Sequence, residues 1–208
     1  RAGWRLALVA RRIHEIESWA DANGISADSY QIYSADVSQI ESIVAAGLDC
    51  LQRQGVPDVV IANAGISVGV DTALREDLDA MARVFATNTV GAAATFQPFI
   101  NAMVQRGSGR LVGIASVAGI RGLPGHGAYC ASKAGLIAYL QSLRAELRPT
   151  RLTVHTISPG YLRTALTAGN TFAMPGLLGP DEAARDLLRG VAQGREHIVL
   201  PRRIGWLS

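Results

Sequence analysis

The sequence predicts an α/β protein: a doubly wound, mostly parallel sheet with helices on both faces. Two observations predict it. Six short apolar runs of strand length alternate with longer stretches of helical period. The runs are close to continuously apolar, which is the pattern of strands buried on both faces, as parallel sheets are. A chain of 208 residues, 49% hydrophobic, is large enough for one sizeable core, and residues 1–208 read as a single domain.

The elements follow in order. Arg5 to Ala10 (RLALVA) reads as a buried strand, and Ile13 to Asn23 as a helix closed by Gly24. Tyr30 to Ser34 is a second strand. Ser38-Gln-Ile-Glu41 has the form of a capping box, opening a helix that runs to about Gln54. Asp58 to Ala62 is a third strand. From Arg75 to Gln105 the period is helical, with Pro98 expected to kink or break it. Arg110 to Ala115 is a strand, Tyr129 to Leu147 a strong helix stopped before Pro149, and Leu152 to Ile157 a strand. Asp181 to Ala192 is a helix and His197 to Leu200 a last short strand. Gly160 to Pro180 is the one long segment without a regular pattern, and long loops in compact domains are commonly lids or binding loops.

Composition excludes several classes. The net charge of +3 comes from scattered residues with no Lys/Arg block, which is ordinary solvation and no nucleic-acid footprint. Cys50 and Cys130 are too few for a disulfide framework, so a reduced, cytoplasmic setting is expected. No apolar run approaches the ~20 residues of a membrane span, so no membrane partner is expected; nor is a metal. The 20 basic residues other than histidine comprise 19 Arg and a single lysine, Lys133. A general drift toward Arg explains the many but not the exception: an ammonium is a compact point charge that a guanidinium does not mimic.

In a doubly wound sheet, ligands bind beyond the carboxyl ends of the strands. Arg11-Arg12 follows the first strand here and Asp36-Val37 the second. Asn63-Ala64-Gly65 follows the third, Ser116 the fourth and Pro159-Gly160 the fifth. Tyr129 and Lys133 are spaced i, i+4 and share one helix face. A tyrosine near pKa ~10 is a poor proton donor or base at neutral pH, and lowering it by about 2–3 pH units needs roughly 3–4 kcal/mol. A cation at ~4 Å in an effective dielectric of ~20 supplies about that much. One lysine is therefore expected to activate one tyrosine.

Taken together, Asn63-Ala64-Gly65 after a strand, Asn88 inside a long helix, Ser116, Tyr129-Cys-Ala-Ser-Lys133-Ala-Gly and Pro159-Gly160 resemble the short-chain dehydrogenases/reductases. The resemblance runs from Arg5 to about Pro201. It implies a Rossmann-like fold and an oxidoreductase that moves a hydride between a nicotinamide dinucleotide and a small carbonyl or alcohol substrate. It implies that Tyr129 exchanges a proton with the substrate oxygen. Lys133 would depress the tyrosine's pKa and hold the nicotinamide ribose. Ser116 would bond the reacting carbonyl, and Asn88 would bend its helix and hold a water in the proton relay. Asn63, Ala64 and Gly65 would line the adenine side with Asp36 and Val37. Pro159, Gly160 and Thr164 would sit by the nicotinamide, and Tyr161 by the substrate. A homodimer or homotetramer built on the two long helices is implied by the same analogy.

The resemblance also frames the cofactor. Where NAD binders of this general fold carry an acidic residue for the ribose 2′-OH, this chain has Arg11 and Arg12, which suit a phosphate; NADP(H) is the expectation. The family's first strand and Gly-rich phosphate turn are absent, for no Thr-Gly-x-x-x-Gly-x-Gly occurs. That strand lies mid-sheet, and without it two apolar edges would stand unpaired, so the chain is expected to be a fragment of a longer product. Ile204-Gly-Trp-Leu207 reads as the start of a further apolar helix. The alternatives are a non-catalytic nucleotide sensor on the same fold and an epimerase-type reaction. Leu162, Leu166, Phe172, Met174 and Leu177 in the long loop hint at a hydrophobic substrate; His126 reads as a loop residue and Cys130 as a packed one.

Overall fold

Every strand is parallel to the neighbour it pairs with. The computed structural model describes residues 3–164, 166–168 and 173–201. The strands are β1 (Leu6–Ala10), β2 (Tyr30–Ser34), β3 (Val59–Ala62), β4 (Gly109–Ile114), β5 (Leu152–Pro159) and β6 (His197–Leu200). The helices are α1 (Ile13–Ala22), α2 (Ile40–Gln54), α3 (Asp77–Phe85), α4 (Gly91–Arg106), α5 (Gly127–Glu146) and α6 (Pro180–Ala192). The fold is the predicted Rossmann-like α/β architecture. Leu111 and Val112, successive residues of β4, enter two different core clusters. That is the period-2 alternation of a strand covered on both faces. One cluster joins β2 to β5 with α2, α4 and α5 through Ile43, Phe96, Phe99, Leu136 and Leu140. The other joins β4, β5 and β6 to α6 through Ala183 and Val191. Phe96 and Leu140 are fully buried, and each such side chain contributes roughly 1.5–3 kcal/mol relative to exposure.

The sheet is in two pieces. β1 pairs with β2, and β3–β4–β5–β6 pair in that order, but β1 and β3 do not pair. A cleft of about 110 Å³ separates them, lined by Ala7 and Val9 of β1, Val59 to Ile61 of β3, and α2 and α4 behind. Val9 is 40% and Ile61 42% exposed. The expectation that β1 is a buried strand is corrected here: alternate residues of β1 face the open cleft because no strand lies on that edge.

Three other expectations are corrected. The capping box at Ser38 does not form, because the Ser38 hydroxyl donates to Asp36 Oδ1 at 2.7 Å and α2 opens at Gln39 without a side-chain cap. Pro98 does not break the long helix. It lies inside α4, packed over Gly47, where a Cβ would stand 2.8 Å from the proline ring. The irregularity falls earlier, in a π-helical turn over Ala86–Val90 centred on Asn88; such turns are frequent at functional sites. Gly24 does close the first helix, at φ +58°, a backbone state that glycine adopts without a Cβ clash. Among the described residues no helix is long and apolar enough to cross a membrane. Phe172 and Ile204 to Leu207 lie outside the described residues.

Candidate active site

Parallel pairing puts the exits of all the strands of each sheet at one edge, and the predicted residues fall there. Ser116 follows β4 by two residues. Its Oγ accepts from Ala118 N at 3.1 Å, closing a 3₁₀ turn over Val117–Gly119, and lies 3.4 Å from Pro159 O at the end of β5. That turn packs directly on α5: a Cβ at Gly119 would stand 2.7 Å from the Lys133 carbonyl carbon. The close approach needs glycine and fixes Ser116 against the helix turn that carries Tyr129 and Lys133.

The Tyr129 hydroxyl lies near enough to Ser116 for the serine to favour its ionised form. Lys133 is almost fully buried, and its Nζ donates to Ile114 O at 2.7 Å and stands 5.9 Å from the Tyr129 ring centroid. Burial pushes the Lys133 ammonium down to about 8. Burial pushes the Tyr129 phenol up, while Ser116 pulls it down. The expected lowering of Tyr129 by Lys133 is therefore not seen in this geometry. The cation stands 5.9 Å from the ring centroid and donates to the Ile114 carbonyl, while desolvation of the phenol dominates.

Asn88 is fully buried. Its Oδ1 accepts from Ile66 N at 2.8 Å and its Nδ2 donates to Ile66 O at 2.9 Å and to Ser132 Oγ at 3.0 Å. The structure so joins Asn88 to the loop that begins Asn63-Ala64-Gly65. A Cβ on Gly65 would stand 3.3 Å from Lys133 Nζ, so Gly65 lets the backbone reach the lysine. Ser132 carried no role in the sequence reading, although it stands inside the Tyr129 to Lys133 string.

The other end of the edge is exposed. Arg11 pairs with Asp36 at 3.5 Å and Arg12 with Glu15 at 2.6 Å. Ser38 N and Oγ both donate to Asp36, and these bonds, with Arg11, hold its carboxyl below the usual range. The Val37 carbonyl abuts Gly91, where a Cβ would stand 2.5 Å away. Gly160 N donates to Leu200 O at 2.7 Å. Beyond it, Tyr161 O accepts from Leu178 N at 3.0 Å, and Thr164 N donates to Thr167 Oγ1 at 3.2 Å. A cavity of about 400 Å³ opens among Arg163, Thr164, Thr167, Ala168, Met174 and Leu177. Cys130 is buried, its sulfur accepting from Leu123 N, and His126 precedes α5.

Residues 1–173 match the family model described as short chain dehydrogenase. The chain belongs to the short-chain dehydrogenase/reductase family of oxidoreductases. It is 34% identical over 201 residues to an uncharacterized oxidoreductase of Myxococcus xanthus, covering 97% of this chain and 79% of that protein. It is 31% identical to a dehydrogenase/reductase SDR family protein 7-like of Anopheles gambiae, covering 99% of this chain and 71% of that one. Among solved structures, an alcohol dehydrogenase from Thermococcus sibiricus complexed with 5-hydroxy-NADP superposes with a TM-score of 0.82 at 24% identity, over 96% of this chain and 86% of that one. A short chain dehydrogenase/reductase from Burkholderia phymatum in complex with NAD superposes with a TM-score of 0.83 at 21% identity, over 98% and 82%. These two likenesses concern the fold.

Proposed function

We propose that this protein interconverts a carbonyl and an alcohol with NADP(H), using Tyr129 as general acid and base. The observation that carries the proposal is the Ser116–Tyr129–Lys133 cluster where β4 ends and α5 begins. The residues present fit two parts of a nicotinamide dinucleotide. Among the described residues, Lys133 Nζ has one acceptor, Ile114 O, while an ammonium has three donors, so it has donors left for a ribose hydroxyl beside Gly65. Arg11 and Arg12 suit a 2′-phosphate as bidentate donors. Asn63, Ala64, Gly65, Asp36 and Val37 would line the adenosine side, with Pro159, Gly160 and Thr164 near the nicotinamide. When bound, the dinucleotide supplies or takes up the hydride.

The chain's own side chains do the rest. Ser116 and Tyr129, which stand together at the end of β4, would present two hydroxyls to one substrate oxygen. In reduction, Tyr129 gives its proton to that oxygen as the carbonyl carbon accepts the hydride. Ser116 donates to the oxygen where negative charge develops. Lys133, with a pKa of about 8, is mostly cationic at neutral pH, and with cofactor and substrate bound its charge would favour the phenolate that Tyr129 becomes, an effect absent from this geometry. Tyr161 and the apolar Leu162, Leu166, Met174 and Leu177 are the candidates for holding an apolar substrate. The test is kcat/KM with NADPH and with NADH on one carbonyl substrate. A preference for NADPH of tenfold or more is expected; a preference for NADH would overturn the cofactor assignment.

We propose also that the cleft between β1 and β3 is the place of one more parallel strand, so that residues 1–208 form part of a larger domain. Two facing edges of apolar strands, with Val9 and Ile61 uncovered, support this. An active native product of 22.0 kDa, the mass of these 208 residues, would contradict it. Exposed Leu78, Met81 and Val90 support the homodimer or homotetramer. The free thiols Cys50 and Cys130 support a reducing, cytoplasmic setting.

A further inference from the structure

The turn of α5 that carries Tyr129 and Lys133 is tied down from a neighbouring helix. Ser132 is fully buried. Its Oγ donates to Tyr129 O at 2.8 Å and accepts from Asn88 Nδ2 at 3.0 Å. The next residue of the π turn, Thr89, donates its hydroxyl to Ser132 O at 2.9 Å. Asn88 in turn holds both the N–H and the C=O of Ile66. A continuous chain of buried hydrogen bonds thus runs from the loop after β3, through Asn88 and Ser132, to the backbone of Tyr129 itself. Two successive side chains of the π turn thus hold one residue of another helix.

We infer that Ser132 is a positioning residue for the acid–base centre: its hydroxyl couples Asn88 to the Tyr129 carbonyl and so sets the height of Tyr129 and Lys133 against Ser116 and Ile114. The inference rests on the reading of Tyr129 as the proton donor. An ordinary packing serine does not account for the arrangement. The hydroxyl both donates and accepts in a fully buried position, and its donor partner is the side chain that also holds Ile66 in the loop beside Gly65. Removing the oxygen leaves an Asn88 N–H without its acceptor and releases the Tyr129 turn, while the groups that would touch cofactor and substrate stay in the chain. Because Ser116 lowers the Tyr129 pKa, moving Tyr129 away from Ser116 raises it.

The test is Ser132→Ala, measured as kcat and KM against pH with NADPH and a carbonyl substrate, beside Asn88→Ala and the double variant. Expected are a fall in kcat of about tenfold, substrate KM and NADPH Kd within twofold, and a rise in the apparent pKa of the kcat profile. The double variant should lose no more than Asn88→Ala alone, since both act on one chain of bonds. Unchanged kcat and pH profile with only a lowered Tm would overturn the inference, as would additive losses in the double variant. Should Ser132→Ala not fold, Ser132→Cys keeps a weak donor and acceptor on a longer bond and is expected to show a smaller fall and the same pKa direction; a wild-type profile there overturns the inference equally. A Tyr129→Phe control separates the two readings: if that variant turns over normally, the Tyr129 assignment itself has failed.

Discussion

At the α5 end of the strand edge, Asn88, Ser116, Ser132 and Lys133 are all buried, and each makes a hydrogen bond to another element. At the β1–β2 end, Arg11 and Arg12 are about two-thirds exposed, and their partners are the carboxylates of Asp36 and Glu15. The difference follows from the work each end is proposed to do. Proton transfer needs atoms held to within a fraction of an ångström, and only buried, bonded side chains are held so. Recognition of a phosphate needs charge more than placement. Exposed ion pairs are worth little to stability, so an arginine can leave its carboxylate for a ligand at small cost.

Breaking the buried end should have the largest effect. Lys133→Met removes the cation but keeps an apolar stem of similar length. Turnover is expected to fall at least 100-fold, within the ~10²–10⁴ range of acid–base contributions. Stability should move the other way. The Lys133 pKa is depressed on folding from 10.5 to about 8, so the unfolded chain binds more protons between those values and wild-type stability rises with pH across that window. Below about pH 8 the penalty is fully present, at roughly 3 kcal/mol. Losing the bond to Ile114 offsets about half of it. At pH 7 the variant is expected to melt a few degrees above wild type, and the gap should close toward pH 10; a variant that melts lower at pH 7 would contradict the burial penalty.

Breaking the exposed end should cost less and change a different quantity. Arg11→Ala should lower the NADPH-over-NADH ratio of kcat/KM by about tenfold, the worth of one charge-assisted bond pair. Its Tm should stay within about a degree, because the Arg11–Asp36 pair is exposed. A drop in kcat with the ratio unchanged would place Arg11 in the chemistry and dissolve the contrast between the two ends.

The same contrast decides what was legible in the sequence. Tyr129 and Lys133 stood out because an i, i+4 pair and a lone lysine among arginines are local signals. Strand positions were legible because short runs of strand-forming residues between turn signals mark them; Tyr30–Ser34 and His197–Leu200 fall where the pattern put them, although the burial of β1 does not follow its apolar run. What failed depended on partners that the local pattern does not name. Ser38 looked like a cap, but the neighbouring Asp36 carboxylate competes for its hydroxyl. Pro98 looked like a breaker, yet the helix continues through it, packed against Gly47 of α2. Ser132 had no signal of its own, since its partner Asn88 lies 44 residues away and reaches it only through the π turn. The upward push on Tyr129 was illegible because charge spacing can be counted along a helix, whereas desolvation depends on everything packed around it.

The most direct measurement is a comparison of wild type with Tyr129→Phe at fixed NADPH and carbonyl concentrations, with NADPH affinity measured on both. The phenyl ring keeps the shape of the side chain and removes the hydroxyl that carries the transferable proton. The account predicts NADPH binding within about twofold of wild type and turnover lower by 100-fold or more. Turnover within a fewfold of wild type, with binding intact, would contradict it and move the proton transfer to another group.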